Sequence, residues 1–541
     1  MKLLVRGCVL LAGVCSMFAQ SKPATLIPGM GQHHHSISTK SPEAQRFFDQ
    51  GLTLVFGFNH EEAARSFQRA AELDPQAAMP YWGIALAFGP CINLDVDPPH
   101  EKASYEAVQK AISLSPHATE SERAYIQALA TRYSADPGVN LRKLDTDYAY
   151  AMRELSRRYP DDLDAATLYA ESMMDLHPWK LWTLDGRPAE GTEEIVAVLE
   201  SVLRRDPNHV GANHYYIHAV EASPHPEWAL ASTRRLETLA PAAGHLVHMP
   251  AHTYFRVGDY AASARSNAVA AETDRVYLHD SGTTGSMYDI IYFAHNLQYL
   301  AAADCMQGRF ADARQAAEEL VTRVAPMVSG DQAMAEPYVP TLIYVLLRFH
   351  RWDEILKLPP PDSHLVVSTA FWHFARGSAA AATRQLEMAE TERKALEAVR
   401  KETPADAEFS MYSNRARTFL DLAANILDAR IATAHGDRAH AVEYWKNAVQ
   451  IQDRLYYGEP PEWFYPVRES LGAALMLNGQ PAQAESVFRA DLEQYPRNPR
   501  SLFGLSKSLE AQNKISDAEW VRREFEAAWK NADVTLELRD L

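Results

Sequence analysis

The stretch AQRFFDQGLTLVFGFNHEEAARSFQRAAELDP, Ala44 to Pro75, decides how the rest of the chain is read. Numbered from Ala44 as place 1, it sets Gly51 at place 8, Ala63 at 20, Phe67 at 24, Ala70 at 27 and Pro75 at 32. Small residues at 8 and 20 and a large one at 24 let two antiparallel helices close on each other, and the proline marks the end of the pair. The same frame returns along the chain. Pro207 and Pro241 stand 34 residues apart, and taking each as place 32 starts units at Val210 and Gly244. From Tyr465 the frame sets Gly472, Ala484, Phe488 and Pro496 at places 8, 20, 24 and 32.

A 34-residue period with this small and large pattern resembles the tetratricopeptide repeat. Less regular units are readable around Leu422 to Asp453, Ala294 to Leu320 and Pro499 to Phe525, with Gly377 at a further helix-to-helix turn. Loops rich in Pro, Gly or Asp interrupt them at Gly89 to Glu101, His177 to Thr192 and His279 to Gly285. The expected fold is all-α: a tetratricopeptide-repeat solenoid of about ten helical hairpins over residues 41–541, its units touching only their neighbours. The resemblance also implies that places 2, 5, 9, 12 and 13 of each first helix face a concave groove.

The chain has 541 residues, 53 Lys+Arg against 70 Asp+Glu and a net charge of -17, so clustered cations for a nucleic-acid partner are lacking. With 47% hydrophobic and 23% charged residues it is globular in composition, not collagenous, disordered or multi-spanning. Residues 1–19 carry Lys2 and Arg6, then an apolar run from Cys8 to Phe18 and a closing Ala19, the order of an export signal. The expectation is a periplasmic or secreted protein, with lipid anchoring through Cys15 as the lesser alternative and residues 20–40 as an N-terminal segment. Export leaves Cys91 and Cys305, enough for one disulfide and no framework.

In the units from Val210 and Gly244, places 5 and 9 hold His214, His218, His248 and His252. Histidines four apart share a helical face, so each pair offers two imidazoles, and adjacent helices are close enough for the pairs to share one ion. His245 and His295 fall at place 2 of their units, as further ligands or as groups that line the site and support the ligands; Glu221 falls at place 12, and Glu171 and Asp175 at places 9 and 13 of a unit from Leu163. With no thiolate in the stretch, nitrogen and carboxylate ligands suit a divalent transition metal such as Zn, Fe, Cu or Mn. Asp175 is expected among the ligands, while Glu221 and Glu171 are candidates for a catalytic base acting on metal-bound water. The competing readings are a set of polar lining residues and a metal-free His/Glu site.

Several further features bear on the site. His33, His34 and His35 precede the first repeat, as extra ligands or as a polar tail. Trp179 and Trp182 lie in a loop that either lids the cluster or only packs on the helices, and Tyr215, Tyr216, Tyr254 and Phe255 flank the histidines as core or contact residues. Gly458 to Trp463, GEPPEW, reads as an extended connector. The strings His214 to Glu221 (HYYIHAVE), Gly244 to His252 (GHLVHMPAH), Phe58 to Ala63 (FNHEEA) and Glu459 to Trp463 (EPPEW) resemble those of a bacterial exported tetratricopeptide-repeat family. In Gly89 to Asn93 (GPCIN), which resembles the family too, Cys91 stands where a polar residue is expected. That resemblance implies fold and export, not a reaction. Two functions compete: a metal-binding repeat protein, either an enzyme or a periplasmic carrier, with a small molecule or peptide in its groove, and an adaptor without catalytic activity whose groove takes an extended peptide or a partner protein.

Overall fold

The computed structural model describes residues 24–136, 138–328, 333–362, 364–409 and 414–541; the expected leader, with Cys8 and Cys15, lies outside the described residues. Among them the fold is all-α and of the tetratricopeptide type, with three isolated bridges and no strand. No described helix is long and apolar enough to cross a membrane. Sequence expects one continuous array; the contacts part it into two compact units, one of the described residues to Pro250 with Glu272–Thr284, the other of Ala251–Ala271 with Gly285–Leu541.

The first unit runs through α1 (Pro42–Phe56), α2 (His60–Leu73), α3 (Met79–Ala87), α4 (Pro98–Leu114), α5 (Glu120–Ala130), α6 (Leu141–Arg158), α7 (Leu163–Met174), α8 (Thr192–Arg205), α9 (Val210–Glu221), α10 (Leu230–Leu239) and α11 (Gly244–His248). Its helices start where short polar side chains take up orphan amides. Ser41, Asn59, Asp97, Thr119, Asn140 and Asp162 each accept from a first-turn N–H, and Glu122 returns the bond to Thr119 in a capping box.

The repeat frame is visible as interlocking side chains. A Cβ on Gly51 would come 2.7 Å from the Phe67 ring, and one on Gly83, in the next hairpin, 2.5 Å from it. In the second unit Gly472 and Gly504 grip Phe488 in the same way, at 2.3 and 2.2 Å. The large residue of each hairpin is thus seated between glycines of its own and the following first helix, which only a missing Cβ allows.

Contacts in the first unit are not confined to sequence neighbours. The end of α1 lies against α9, where a Cβ on Gly211 would come 2.6 Å from the Phe56 ring, and Gly57 lies against Leu246 of α11. Tyr277 reaches Glu62 on α2 with a 3.2 Å hydrogen bond. A simple stack would leave α9 and α11 with an open face; here the first hairpin covers it.

The second unit contains α12 (Pro250–Arg256) from Ala251 onward and the start of α13 (Tyr260–Ser281), followed by α14 (Ala294–Gln307), α15 (Phe310–Val328), α16 (Thr341–Arg348), α17 (Trp352–Ile355), α18 (Val366–Ala382), α19 (Leu386–Glu402), α20 (Ala416–Ala434), α21 (Arg438–Gln452), α22 (Val467–Leu477), α23 (Pro481–Gln494), α24 (Pro499–Ala511) and α25 (Ile515–Ala528). Five π-helical residues, Asp289–Phe293, lead into α14. Glu469, at place 5 of its unit, is buried between Arg348 and Arg500, with Arg500 Nε at 2.9 Å. Cys91 and Cys305 are both buried free thiols; burial pushes Cys91 up to about 12, so it stays protonated and inert.

Candidate metal centre

The site is built on α9, every residue of which is buried. The helix starts at His209, whose Nδ1 accepts the Ala212 N–H at 3.1 Å. One turn on, the helical period brings His214 and His218 to one face. His214 Nδ1–H donates to the carbonyl of Phe56 at 2.5 Å, one of the C-terminal carbonyls that α1 cannot satisfy itself. His218 Nδ1–H donates to Glu221 Oε1 at 2.6 Å, with both side chains 2% exposed. In a neutral imidazole a proton on Nδ1 leaves the lone pair on Nε2, the tautomer in which Nε2 can ligate a metal.

The third imidazole comes from α11. His245 Nε2 stands 3.2 Å from His214 Nε2, and ligand nitrogens of His214, His218 and His245 all lie within 4.8 Å of one another. Two nitrogens bound to one tetrahedral ion at 2.0–2.1 Å are separated by about 3.3 Å, so this spacing suits a shared ion. His248 stacks on His245 with ring centres 5.6 Å apart.

Aromatic rings close the centre. Phe58, in the turn between α1 and α2 with φ 55°, lies edge-on to His214 at 4.6 Å and stacks on His245 at 5.5 Å and His218 at 5.8 Å. A positive φ is costly for a bulky residue and persists here because the ring is held among the histidines. Trp179, also at positive φ (59°), stands edge-on to His218 at 5.7 Å, and Trp182 Nε1 donates to Ala219 O at 2.7 Å. The loop expected either to lid the cluster or to pack on the helices does both: Trp182 packs on α9 and Trp179 stands against His218. Nearby, burial lowers His60 to about 4, and its Nδ1 lies 3.0 Å from Ala87 O.

The histidines expected to line an open groove are therefore enclosed: His214, His218, His245 and His248 are 0, 5, 3 and 0% exposed. The physical reason is the return of the first hairpin onto α9 and α11. Glu221 joins the histidines, but Glu171 and Asp175 do not. On α7 and just after it, they form a buried pair with Arg132, whose Nη2 is 2.5 Å from Asp175 Oδ2, and they belong to no convergent ligand group among the described residues. Burial first, and then the Asp175 charge, hold Glu171 well above the usual carboxylate range, toward the acid form and away from the role of a base. Burial raises Asp175 too, against the pull of Arg132.

In the second unit His252 Nδ1 lies 2.5 Å from Glu459 Oε2, with the side chains 0 and 4% exposed, repeating the pairing of His218 with Glu221. Tyr299 stacks on His252 at 5.3 Å, and the His295 ring is 5.9 Å away. The GEPPEW connector thus carries a carboxylate to a histidine, a role its extended sequence did not disclose.

A further histidine cluster, in the first unit, behaves differently. His33 Nε2 and His209 Nε2 lie 3.0 and 3.1 Å from Asp164 Oδ1, and His35 Nδ1 lies 2.7 Å from Asp164 Oδ2. Because His209 Nδ1 accepts from Ala212, the proton of its neutral ring is on Nε2 and is donated to Asp164. That ring has no lone pair for an ion, so proton sharing, not metal ligation, explains this group. His33 and His35, more simply read as a polar tail, are docked.

The fold and site define an all-helical repeat protein with an enclosed histidine and carboxylate centre. No family model matches the chain, and no curated protein matches it. Among solved structures it is similar to the human IFIT1 dimer with m7Gppp-AAAA, at 11% identity over 92% of this chain and 92% of that one, with a TM-score of 0.29. It is similar also to yeast Tom70, at 12% identity over 90% and 92% of the two chains, TM-score 0.25. At such scores nothing about this chain follows from what those proteins bind.

Proposed function

We propose that this is an exported repeat protein that binds one divalent transition metal ion, of the Zn, Fe, Cu or Mn class, on His214, His218 and His245. The observation that carries the reading is the convergence of His214, His218 and His245 within 4.8 Å, with Phe56 O and Glu221 Oε1 accepting the Nδ1 protons of His214 and His218 so that the neutral rings carry their lone pairs on Nε2. Three neutral nitrogens with no thiolate favour these metals, and three protein ligands leave a position for water. Such an ion lowers the pKa of bound water to about 7, so metal-assisted hydrolysis is the reaction class this ligand set supports best. The enclosure of the centre favours a small substrate over an extended peptide, and sets this reading above that of a groove-binding adaptor. The order of residues 1–19 supports export.

Elemental analysis of protein purified without an affinity tag, followed by Zn2+ titration of the metal-free form, tests it. One equivalent lost in His214→Ala and in His218→Ala is expected. Wild-type protein that binds no divalent transition metal would refute it.

A further inference from the structure

Residues 24–40 form a strap across the first unit. Near its start Gln50 of α1 clasps it, donating to Thr25 O at 3.0 Å and accepting from Ile27 N at 2.7 Å. Ala242 N, just before α11, donates to Gly29 O at 3.1 Å. His33 and His35 dock on Asp164 of α7, and the His35 amide donates to Asp49 of α1 at 3.1 Å. Ser38 gives its N–H and its hydroxyl to Glu122 of α5 at 2.5 and 2.6 Å, and Thr39 Oγ1 donates to Asp74 at 2.7 Å. Three helices, a helix end and a turn therefore hold one extended segment.

The strap also touches a residue that sets the metal centre. The His33 ring packs edge-on against Phe56 at 5.2 Å, and the His209 ring lies 5.6 Å from the same phenyl group. On its other side Phe56 is pressed into the space left by Gly211 on α9, and its carbonyl orients His214. The Phe56 ring is packed between the strap and α9 while its carbonyl meets His214, so one residue links the two.

We infer that docking of the strap on Asp164 and metal binding at His214, His218 and His245 are coupled through Phe56, so that each strengthens the other. This rests on the metal reading above. The coupling is reciprocal by linkage: whatever factor the docked strap adds to metal affinity, bound metal adds to docking. With the strap released, Phe56 regains rotamer and backbone freedom, and His214 loses part of its orientation. Outer partners of a metal ligand change affinity 10–100-fold. Acting one residue further out, strap release is expected to weaken binding by about 10-fold, the low end of that range.

The experiment uses the full chain and Zn2+ as the probe. Hydrogen exchange of amides in 24–40 is measured with and without Zn2+, and Zn2+ affinity is measured in wild type, His33→Ala and Asp164→Asn. Slower exchange of the strap on adding Zn2+, with about 10-fold weaker binding in either variant that folds, is the expected result. The partly exposed His33 makes His33→Ala the variant that answers if Asp164→Asn does not fold. Stoichiometric Zn2+ binding with unchanged strap exchange and unchanged affinity in His33→Ala overturns the coupling and leaves the metal site standing. Absence of Zn2+ binding in the wild type overturns both.

Discussion

Replacing Glu221 by Gln isolates the electrostatic part of the centre. The carboxylate lies 2.6 Å from His218 Nδ1, both side chains 2% exposed, so the bond is charge-assisted and shielded from water. A glutamine of the same length keeps an acceptor in place and removes the charge. Hydrogen bonds to charged groups contribute about 1.5–3 kcal/mol and neutral ones about 0.5–1.5, a difference near 1–1.5 kcal/mol. If that difference acts on the metal-bound ring, affinity falls by roughly 10-fold, since each 1.4 kcal/mol is a factor of ten. The fold should be retained, because no cavity is made and a buried charge is removed. Competition against a chromophoric chelator for Zn2+ reads the affinity, and thermal unfolding of the metal-free protein reads the fold. Glu221→Gln binding Zn2+ as tightly as wild type would refute the claim that Glu221 tunes His218. Loss of the folded state would show that the pair is structural.

Gly472→Ala places a methyl group 2.3 Å from the Phe488 ring, within a core that cannot yield without repacking, and should cost about 1–3 kcal/mol in denaturant unfolding. Adding Phe488→Leu should recover part of that loss; independent, additive costs would contradict the interlock. The strap should hold best in mildly acidic solution. Burial alone would raise Asp164, but the His33 charge and the bonds from His209, His33 and His35 hold it well below its usual range, so its contribution is present above about pH 4 and fades as pH falls through the depressed value. Burial alone would lower His33 and His35, but Asp164 raises both, so their contribution is full below about pH 6.5 and is lost as pH rises through the raised values. Asp49, Asp162, His209 and Tyr125 also face the group and belong in any fit. Exchange protection of the strap, corrected for intrinsic rates, that does not fall between pH 6 and 9 would refute this.

The fold was legible because it is periodic: Gly51, Phe67, Gly472 and Phe488 mark the same packing contact wherever the frame recurs. The shared face of His214 and His218 was legible for the same reason, since helical spacing alone sets it. What encloses them was not. His214 is oriented by Phe56 O, 158 residues earlier, and a backbone carbonyl has no signature in a side-chain sequence. Place numbers likewise predict which way a side chain leaves its own hairpin, not what comes to meet it. Glu171 and Asp175 occupy groove places, yet Arg132, from just beyond α5, takes up Asp175, and the pair stays apart from the histidines. Asp164 held no interest until the strap brought His33 and His35 to it.

Donor and acceptor accounting explains why two histidine clusters in one unit should behave differently. Around Asp164 the carboxylate supplies the negative charge, with His209 and His35 hydrogen-bonded to it and His33 3.0 Å away as an ion-pair partner. Around α9 Glu221 Oε1 lies on the Nδ1 side of His218, and Phe56 O takes the Nδ1 proton of His214. Ligand nitrogens of His214, His218 and His245 lie within 4.8 Å of one another there, with His245 Nε2 3.2 Å from His214 Nε2. On the metal reading proposed above, a divalent cation would be held by these three residues with Glu221 supplying countercharge through His218, the arrangement by which carboxylate and histidine together raise ligand basicity.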